Sequence, residues 1–502
     1  MSGFDEMPSS WTELNFDDAV EVVSDHGIRI KQKDYLEAGT VPVIDQGDGL
    51  VGGYTDRCDA RIDATLPLYV FGDHTRRFKF VSFPFAVGAD GVKLFAPNRL
   101  WEPRFLFYQL ETVDLENRGY GRHYQYLRKE SLRLPPHQEQ TRIVEKLEEL
   151  LSDLDAGVAE LKAAQRKLAQ YRQSLLKAAV EGALTADWRR ARAQTGEPQE
   201  SGADLLQRIL TERRTRWESK QLAKFAEQGK TPPKDWKSKY LKPATPESAN
   251  RPTIPKSWTW ASIEQIASDE RYGLAIGPFG SNLKVPDYRE EGVPLVFVRN
   301  IRSGNYGGDY TKCVTPEKAS ELIAHGIQPG DVLITKMGEP PGDADVYPHD
   351  QPPAVITADC IKVRCGREIM QAQFLVAVIN SNIGKQQIKP ITQGVAQKKV
   401  SLGRFSLVAV PLPTLEEQHE ICVRLINVSK EIDAQSVAVE HSLKQSAAQR
   451  KNILKAAFAG QLVPQDPNDE PASVLLDRIR SERTSRNSQG TCKSARKAKV
   501  MA

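Results

Sequence analysis

The sequence predicts an α+β protein in which two tandem mixed α/β domains are joined by a long antiparallel helical coiled coil. Three observations predict this fold class: an internal repeat, a heptad pattern of apolar residues in each copy of the repeat, and short strand-like runs ahead of each copy. The two halves are therefore expected to be related by an approximate two-fold axis.

The internal repeat consists of two segments that match without a gap at an offset of 278 residues. One begins at Pro135 with PPHQEQTRIVEKLEELL, and the other begins at Pro413 with PTLEEQHEICVRLINVS. Each copy is followed by a similar run, LLQRILTERR or LLDRIRSERT. A short Pro-x-Ser-Trp-Thr motif precedes each long repeated segment, ending at Thr12 and at Thr259. The chain therefore has one structural plan, used twice.

The repeated segments predict two helices of about 45 residues each. Their apolar residues alternate at spacings of three and four, which is typical of a coiled coil. Because neither helix is expected to be stable alone in water, we expect the two copies to pack on each other. The residues predicted to form this partner-helix seam are Ile143, Leu147, Leu154, Leu161, Ile421, Leu425, Ile432 and Val439.

The mixed domains are predicted from short apolar runs separated by Gly- and Asp-rich turns, as in VPVIDQGDGLVGGYT and VPLVFVRNIRSGNYGG. Composition then divides the chain into six parts. They are a first mixed domain (1–135), a first helical region (136–217), a Lys-, Pro- and Gln-rich linker (218–252), a second mixed domain (253–410), a second helical region (411–486) and a basic tail expected to be disordered (487–502).

Composition excludes several classes of protein. No run of about 18 apolar residues predicts a membrane span, and the acidic N-terminal residues do not resemble a secretory signal. The six cysteines show no CxxC spacing, so we expect reduced thiols and a cytoplasmic location rather than disulfides or a zinc ribbon. The net charge of +4 indicates an anionic partner only weakly.

No catalytic signature is present in the sequence. It contains no GxxxxGK[ST] phosphate loop, no [Asp/Asn]-Pro-Pro-Tyr tetrapeptide and no HExxH pair. Asp331 and Lys336 suggest a nuclease, but the second acidic residue two positions before the lysine is missing. The sequence therefore predicts a chain without catalytic residues and without a metal site.

Four loops carry the side chains that contact phosphates and base edges in DNA complexes, namely Arg, Lys, Asn, Gln and His. In the first domain they are Gly72–Lys79 and Asn117–Gln125, and in the second they are Arg299–Arg302 and Thr392–Lys399. The alternative is that these are solvated loops with ordinary surface charge. Similar loops at matching positions in both halves favour DNA binding, although the first domain as a whole is acidic.

The chain resembles the specificity subunits of type I restriction-modification systems. The resemblance covers nearly the whole sequence apart from the basic tail. It is carried by LPPHQEQTRIVEKLEELL and VPLPTLEEQHEICVRL at the predicted helix starts, and by LLKAAVEGALT and ILKAAFAGQLV near their ends. The run FVRNIRSGNY, followed by GIQPGDVLIT, belongs to the same pattern.

The resemblance implies that each mixed domain is a target-recognition domain that reads one half of a bipartite DNA site. It implies that the coiled coil sets the spacer and that the exposed faces of 139–182 and 417–460 dock two modification subunits. S-adenosylmethionine would be used by those subunits, and ATP and Mg²⁺ by restriction subunits. By loop position and residue type, the expected DNA contacts are Arg76, Arg77, Lys79, Arg118, Arg122, His123, Arg299, Asn300, Arg302, Lys336, Gln393, Lys398 and Lys399.

Two other functions remain open at the level of the sequence. The chain could be the specificity subunit of a related two-component type II system, whose partner carries the nuclease. It could instead be a coiled-coil scaffold whose terminal domains bind protein rather than DNA. Neighbouring genes separate the first alternative from a type I system, and a co-purifying methyltransferase would exclude the second.

Overall fold

The computed structural model describes residues 7–25, 27–88, 91–117, 119, 121–196, 200–246, 251–301, 306–307, 312–338, 341–393 and 399–481. It divides the chain into two compact units. The N-terminal unit comprises Met1–Ala163 with Val439–Ala502, and the central unit comprises Ala164–Ala438. The predicted basic tail, 487–502, lies outside the described residues.

The first mixed domain belongs to the N-terminal unit. Its strands are Thr12–Asn15, Val20–Val23, Arg29–Ile30, Val41–Ile44, Gly53–Thr55, Leu68–Gly72, Phe78–Val81, Ala86–Gly88, Val92–Pro97 and Ser131–Leu134. Its helices are Phe16–Ala19, Pro103–Glu111 and Tyr124–Leu127, with 3₁₀ turns at Gln32–Asp34 and Cys58–Ala60.

The second mixed domain belongs to the central unit. Its strands are Thr259–Ser262, Leu274–Ile276, Val293–Val296, Cys313–Val314, Gly326–Ile327, Val332–Thr335, Ala344–Val346, Ala354–Ile356, Cys360–Val363, Thr392–Gln393, Lys399–Val400 and Ala409–Leu412. Its helices are Ile263–Ile266, Pro316–Glu321, Ala372–Asn380, Asn382–Ile388 and Leu402–Phe405, with 3₁₀ turns at Val285–Asp287, Val298–Asn300 and Ile323–His325.

The two domains share one sheet plan, as the repeat predicts. Each has a four-stranded antiparallel sheet, in the order 20–23, 92–97, 68–72, 78–81 or 274–276, 360–363, 332–335, 344–346. Each also has a four-stranded mixed sheet, with two parallel strand pairs in the first domain (29–30 and 41–44, each with 86–88) and one in the second (293–296 with 354–356). The mixed sheets differ at one edge, because strand 29–30 occupies it in the first domain and strand 326–327 in the second. The predicted mixed α+β character is confirmed.

The two long helices are His137–Val180 and Leu415–Phe458, each of 44 residues. Both are close to the expected length of about 45 residues, and each begins two residues after the proline that opens its repeated segment, Pro135 or Pro413. In the N-terminal unit, Asp155 forms an ion pair with Arg450 (2.8 Å), and in the central unit Arg172 forms one with Asp433 (2.5 Å). In the N-terminal unit Ile143 also packs in one cluster with Phe458, and in the central unit Thr185, just beyond the first helix, bonds to Glu417, so within each unit the helices run antiparallel.

The predicted seam residues are buried to different degrees. Ile143 and Leu147 are fully buried and pack with the end of the second long helix in the N-terminal unit. Ile421, Leu425 and Ile432 are buried in the core of the central unit. The other three, Leu154, Leu161 and Val439, are half-buried. Packing of the seam is therefore tightest where a mixed domain also covers it.

A tryptophan of each mixed domain is hydrogen-bonded to the first turn of that domain's long helix. Trp11 Nε1 donates to Glu139 Oε2 at 3.0 Å, and Trp258 Nε1 donates to Glu417 Oε2 at 2.8 Å. All four side chains are buried. Because a buried carboxylate is costly unless its oxygens are hydrogen-bonded, this pair fixes both the helix start and the tryptophan segment.

The glutamine that follows each buried glutamate joins the helix start to backbone groups of the same domain. Gln140 donates to the carbonyls of Leu100 and Pro135 and accepts from Glu102 N. Gln418 makes the same three bonds, with Ile369 O, Pro413 O and Gln371 N. The Glu-Gln pair of the repeat is therefore a framework element, which explains its recurrence in both halves.

The end of each long helix is held by the tryptophan segment of the other half. Gly182 and Gly460 adopt φ values of +81° and +71°, which terminate the helices in a left-handed conformation. A Cβ at Gly182 would lie 2.5 Å from Pro255 Cγ, and one at Gly460 would lie 2.5 Å from Pro8 Cγ. Glycine is therefore required at both positions for conformation and for space.

The segments after the long helices also repeat. Gly202 N donates to Ser257 O at 2.8 Å at the start of helix Gly202–Glu227, and Ala472 N donates to Ser10 O at 3.0 Å, where residues 472–481 are helical. A shorter helix, Ala186–Ala193, precedes the first of these. The predicted linker, 218–252, begins inside helix Gly202–Glu227 and includes a 3₁₀ turn at Trp236–Lys239.

Among the helices that the structure describes, none is long and apolar enough to cross a membrane.

We predict that the two buried glutamates differ in their response to neutralisation. Glu417 also accepts from Thr185 Oγ1 (2.7 Å) and from the half-buried Arg189 guanidinium, so Glu417→Gln leaves that cation without its counter-charge. We expect the free energy of unfolding to fall by about 1.5–3 kcal/mol. Thermal and denaturant unfolding followed by circular dichroism would measure it.

Glu139→Gln is the matched control. Glu139 bonds to the neutral Trp11 and Gln465 side chains, and burial raises the pKa of its carboxyl despite those bonds. Its amide replacement should therefore cost less than about 1 kcal/mol. Equal losses in the two variants would contradict the assigned role of Arg189.

Candidate nucleic-acid interface

The two predicted loops of the first domain are brought together by the structure. Asp73 O accepts from the backbone N of His123 (3.2 Å) and from its Nδ1 (2.8 Å), and Asp73 Oδ1 accepts from Tyr124 N (2.7 Å). Arg76 Nη1 donates to Leu115 O at 2.5 Å. Loops that are 40 to 50 residues apart in sequence thus form one surface.

A third loop, 45–51, joins this surface and was missed by the sequence analysis. A Cβ at Gly72 would lie 2.8 Å from Gln46 Cβ, and one at Gly91 would lie 3.1 Å from Gln46 Oε1 and 2.7 Å from His74 Cδ2. Gln46 Oε1 and Thr75 Oγ1 are buried and have no hydrogen-bond partner among the described residues. These atoms lie beside the cation-bearing hairpin, so we add Gln46 and Thr75 to the candidate residues.

Two predicted cations of the first domain lie on its surface. Arg77 is exposed and forms an ion pair with the exposed Asp48 at 2.8 Å. Arg122 is also exposed. Arg76 is half-buried with φ +61°, an uncommon conformation for a residue other than glycine. Arg118 lies outside the described residues.

Three predicted contacts are buried, and for them the prediction is corrected. Lys79 is 7% exposed and donates to Gly49 O at 2.6 Å; burial lowers its pKa, although Asp45 opposes the shift. His123 is fully buried against Asp73. Asn300 is 4% exposed, accepts from Phe297 N and donates to Gly307 O. These side chains hold loops in place and do not face the solvent.

The loops of the second domain converge in a similar way. Thr357 Oγ1 donates to Val296 O at 2.9 Å, which places the 357–359 turn beside the 3₁₀ turn that carries Arg299. Arg299 is exposed and lies over the Phe297 ring, 4.4 Å from its centroid. Lys336 N donates to Asp359 O, and its Nζ donates to Ala358 O at 3.4 Å.

Lys336 and Lys399 share one acidic neighbour. Lys399 Nζ lies 3.6 Å from Asp359 Oδ1. Burial lowers the pKa of Lys336, Asp359 raises it, and the neighbouring Lys399 lowers it further. Of the remaining predicted residues, Arg302 and Lys398 lie outside the described part of the chain, and for Gln393 only the backbone, in strand Thr392–Gln393, is described.

The structure gives Asp331 a framework role rather than a nuclease role. Its two carboxylate oxygens accept from Arg364 Nε and Nη2 at 2.8 and 2.9 Å, and it is 2% exposed. The described residues contain no cluster of three or more His, Cys, Asp or Glu side chains that could hold a metal ion. The arrangement of Asp331 therefore does not support the nuclease interpretation of Asp331 and Lys336.

The chain is similar to known proteins both in sequence and in fold. Residues 311–441 match the family model of the type I restriction modification DNA specificity domain. The chain is 25% identical over 378 residues to the type I restriction enzyme EcoBI specificity subunit of Escherichia coli, covering 73% of this chain and 66% of the relative. It is 24% identical over 415 residues to the EcoDI specificity subunit of Escherichia coli, covering 79% and 80%.

A solved structure described as showing complex assembly and conformational transition of the type I R-M system has the same fold. It matches with a TM-score of 0.58 at 14% identity, over 91% of this chain and 99% of that one. The duplicated mixed domains, the paired long helices and the relatives that match along most of the sequence lead to one assignment. By sequence and fold the chain is similar to type I restriction-modification specificity subunits, and residues 311–441 match the DNA specificity domain of that family.

Proposed function

We propose that this chain is the DNA sequence-recognition subunit of a type I restriction-modification complex, and that each mixed domain reads one half of a bipartite site. The observation that carries the proposal is the duplicated site. In each domain, cation-bearing loops that are distant in sequence converge on one surface. Different side chains in the two copies suit an asymmetric target.

The proposal assigns catalysis to other subunits. Two modification subunits would supply adenine-N6 methylation with S-adenosylmethionine, and restriction subunits would supply ATP- and Mg²⁺-dependent cleavage. We place the assembly in the cytoplasm. The exposed faces of 139–182 and 417–460 are the proposed docking sites for the modification subunits. Large apolar side chains exposed along these helices support that assignment: Tyr171, Val423, Ile426 and Val437.

The alternatives from the sequence predict different results. A two-component type II system would produce a split methylated motif without a separate helicase-nuclease gene. A protein-binding scaffold would leave DNA methylation unchanged when its gene is deleted. The relatives and the family model favour the type I assignment over both.

Deletion of this gene tests the proposed function directly. We expect N6-methyladenine mapped by single-molecule sequencing to disappear from one split motif, two short half-sites separated by a fixed gap. Restoring the gene should restore that motif. An unchanged methylation map in a strain that expresses the modification subunits would contradict the proposal.

Shortening the paired helices should change the spacer alone. Removing residues 155–161 and 444–450 deletes one heptad from each helix and keeps the antiparallel pairing, since Asp155 and Arg450 leave together. A heptad is about 10 Å of helix, or roughly three base pairs of duplex. We expect the methylated motif to keep both half-sites and lose roughly three unspecified base pairs between them.

Single arginine variants should affect one half-site each. Arg122→Ala in the first domain and Arg299→Ala in the second each remove an exposed guanidinium from a converged loop surface. Where the arginine contacts a base, we expect a loss of about 1–3 kcal/mol in DNA binding and relaxed specificity at that half-site. Methylome mapping of each variant would show which half-site changes.

Arg190→Ala is the control for these variants, because Arg190 is also an exposed arginine and lies on helix Ala186–Ala193, outside both loop surfaces. Its motif should match that of the unmodified protein. Relaxation of the same half-site by both Arg122→Ala and Arg299→Ala would contradict the assignment of one domain to each half-site.

A further inference from the structure

Residues 213–246 of the central unit form a folded projection that we call the basic arm. It contains ten Lys or Arg residues and three Asp or Glu residues, so its net charge is +7. Because the whole chain carries only +4, all the other residues together carry −3. The arm is therefore one of two strongly basic stretches of the chain, the other being the tail 487–502 with a net charge of +4, and it lies outside the loop surfaces described above.

Both ends of the basic arm are attached to the same part of the second domain. At one end, the half-buried Arg213 donates to the carbonyls of Glu264, Gln265 and Ala267. At the other end, Ala244 N donates to Glu264 Oε2 (3.1 Å), and Ala244 O accepts from Ser262 Oγ (2.6 Å). Both ends of the arm are therefore fixed to residues 262–267 of the second domain, and the residues between them project from that place.

An aromatic cluster folds the arm back on its own helix. Trp217 stacks on Trp236 with centroids 5.8 Å apart, and Tyr240 lies 5.4 Å from Trp217. Phe225 contacts Trp236 edge-on, and Glu218 pairs with Arg214 (3.0 Å) and Lys237 (3.2 Å). These rings contact one another, so the cluster holds the returning segment, with its lysines, in a fixed position.

Six lysines of the arm are exposed and form no ion pair with any residue that the structure describes: Lys220, Lys224, Lys230, Lys234, Lys239 and Lys242. Helix residues 213–227 extend about 21 Å from the attachment point, a length of roughly six base pairs of duplex DNA. The arm thus presents uncompensated positive charge on a rigid support beside a recognition domain.

We infer that the basic arm is a second, sequence-independent DNA contact, which binds phosphates of duplex DNA outside the bases read by the recognition loops. The inference rests on the proposed DNA-recognition function. A phosphate backbone suits this surface better than a protein partner does, because the cores of protein interfaces are depleted in lysine and enriched in aromatic residues. Here the lysines point outward and the aromatic rings are occupied with one another.

The test is the salt dependence of DNA binding by the full chain carrying Lys224→Gln, Lys230→Gln, Lys234→Gln and Lys239→Gln together. Each lysine that neutralises a phosphate contributes about 0.9 to the slope of log affinity against log salt concentration. We expect the slope to become shallower by up to about 3.6, and affinity near 0.1 M salt to fall roughly tenfold for each contacting lysine. The loss should be the same on a duplex with the methylated motif and on a scrambled duplex.

A matched control neutralises four exposed lysines outside the arm, the recognition loops and the long helices, Lys31, Lys33, Lys129 and Lys256, in the same way. It should leave the slope unchanged. Trp236→Ala keeps every lysine but removes the stacking partner of Trp217, and we expect an intermediate loss of affinity. Thermal unfolding of each variant checks that the recognition domains remain folded.

The results separate this inference from the proposed function. A wild-type chain that prefers the motif duplex, together with an arm variant whose salt slope is unchanged, overturns the arm and leaves the recognition function intact. Loss of modification-subunit binding without a change in slope also overturns it, in favour of a protein contact. A wild-type chain without motif preference contradicts the proposed function, while a shallower slope in the arm variant would still support phosphate binding.

Discussion

The architecture depends on a buried carboxylate in the first turn of each long helix. Glu139 and Glu417 accept hydrogen bonds from the indoles of Trp11 and Trp258, and the same tryptophan segments seat the glycine at the end of the opposite helix. Removing these carboxylates from water is unfavourable, so each position is held by several donors at once. One small cluster in each unit therefore fixes where one helix begins and where the other ends.

This arrangement separates the framework from the recognition surface. The framework uses tryptophan, glutamate, glutamine and glycine at equivalent places in both halves, and it tolerates little change because each group is buried or conformationally restricted. The loops that carry the candidate DNA contacts have different side chains in the two halves. Sequence can vary there without disturbing the helix anchors, which is what a protein needs in order to change its target and keep its assembly.

The repeat, the helices and the mixed domains could be predicted because they follow from local periodicity and from matching residues. The orientation of single side chains could not. Lys79, His123 and Asn300 are polar residues in basic loops, yet hydrogen bonds to backbone groups turn them inward, and for Lys79 and His123 those groups lie 30 and 50 residues away. Gln46 was missed because its loop carries no cation. The basic arm was assigned to a linker by composition, whereas the stacking of Trp217 on Trp236 depends on how the chain returns.

The contact between Ala472 N and Ser10 O has a consequence for how such a protein can be encoded. It repeats the contact between Gly202 N and Ser257 O, so the segment that follows the second helix meets the first domain just as the segment that follows the first helix meets the second domain. Each half therefore makes the same contact with the domain of the other half, whichever half comes first in the sequence. Genes that exchange or reorder whole halves by recombination would preserve every framework contact while combining half-sites anew.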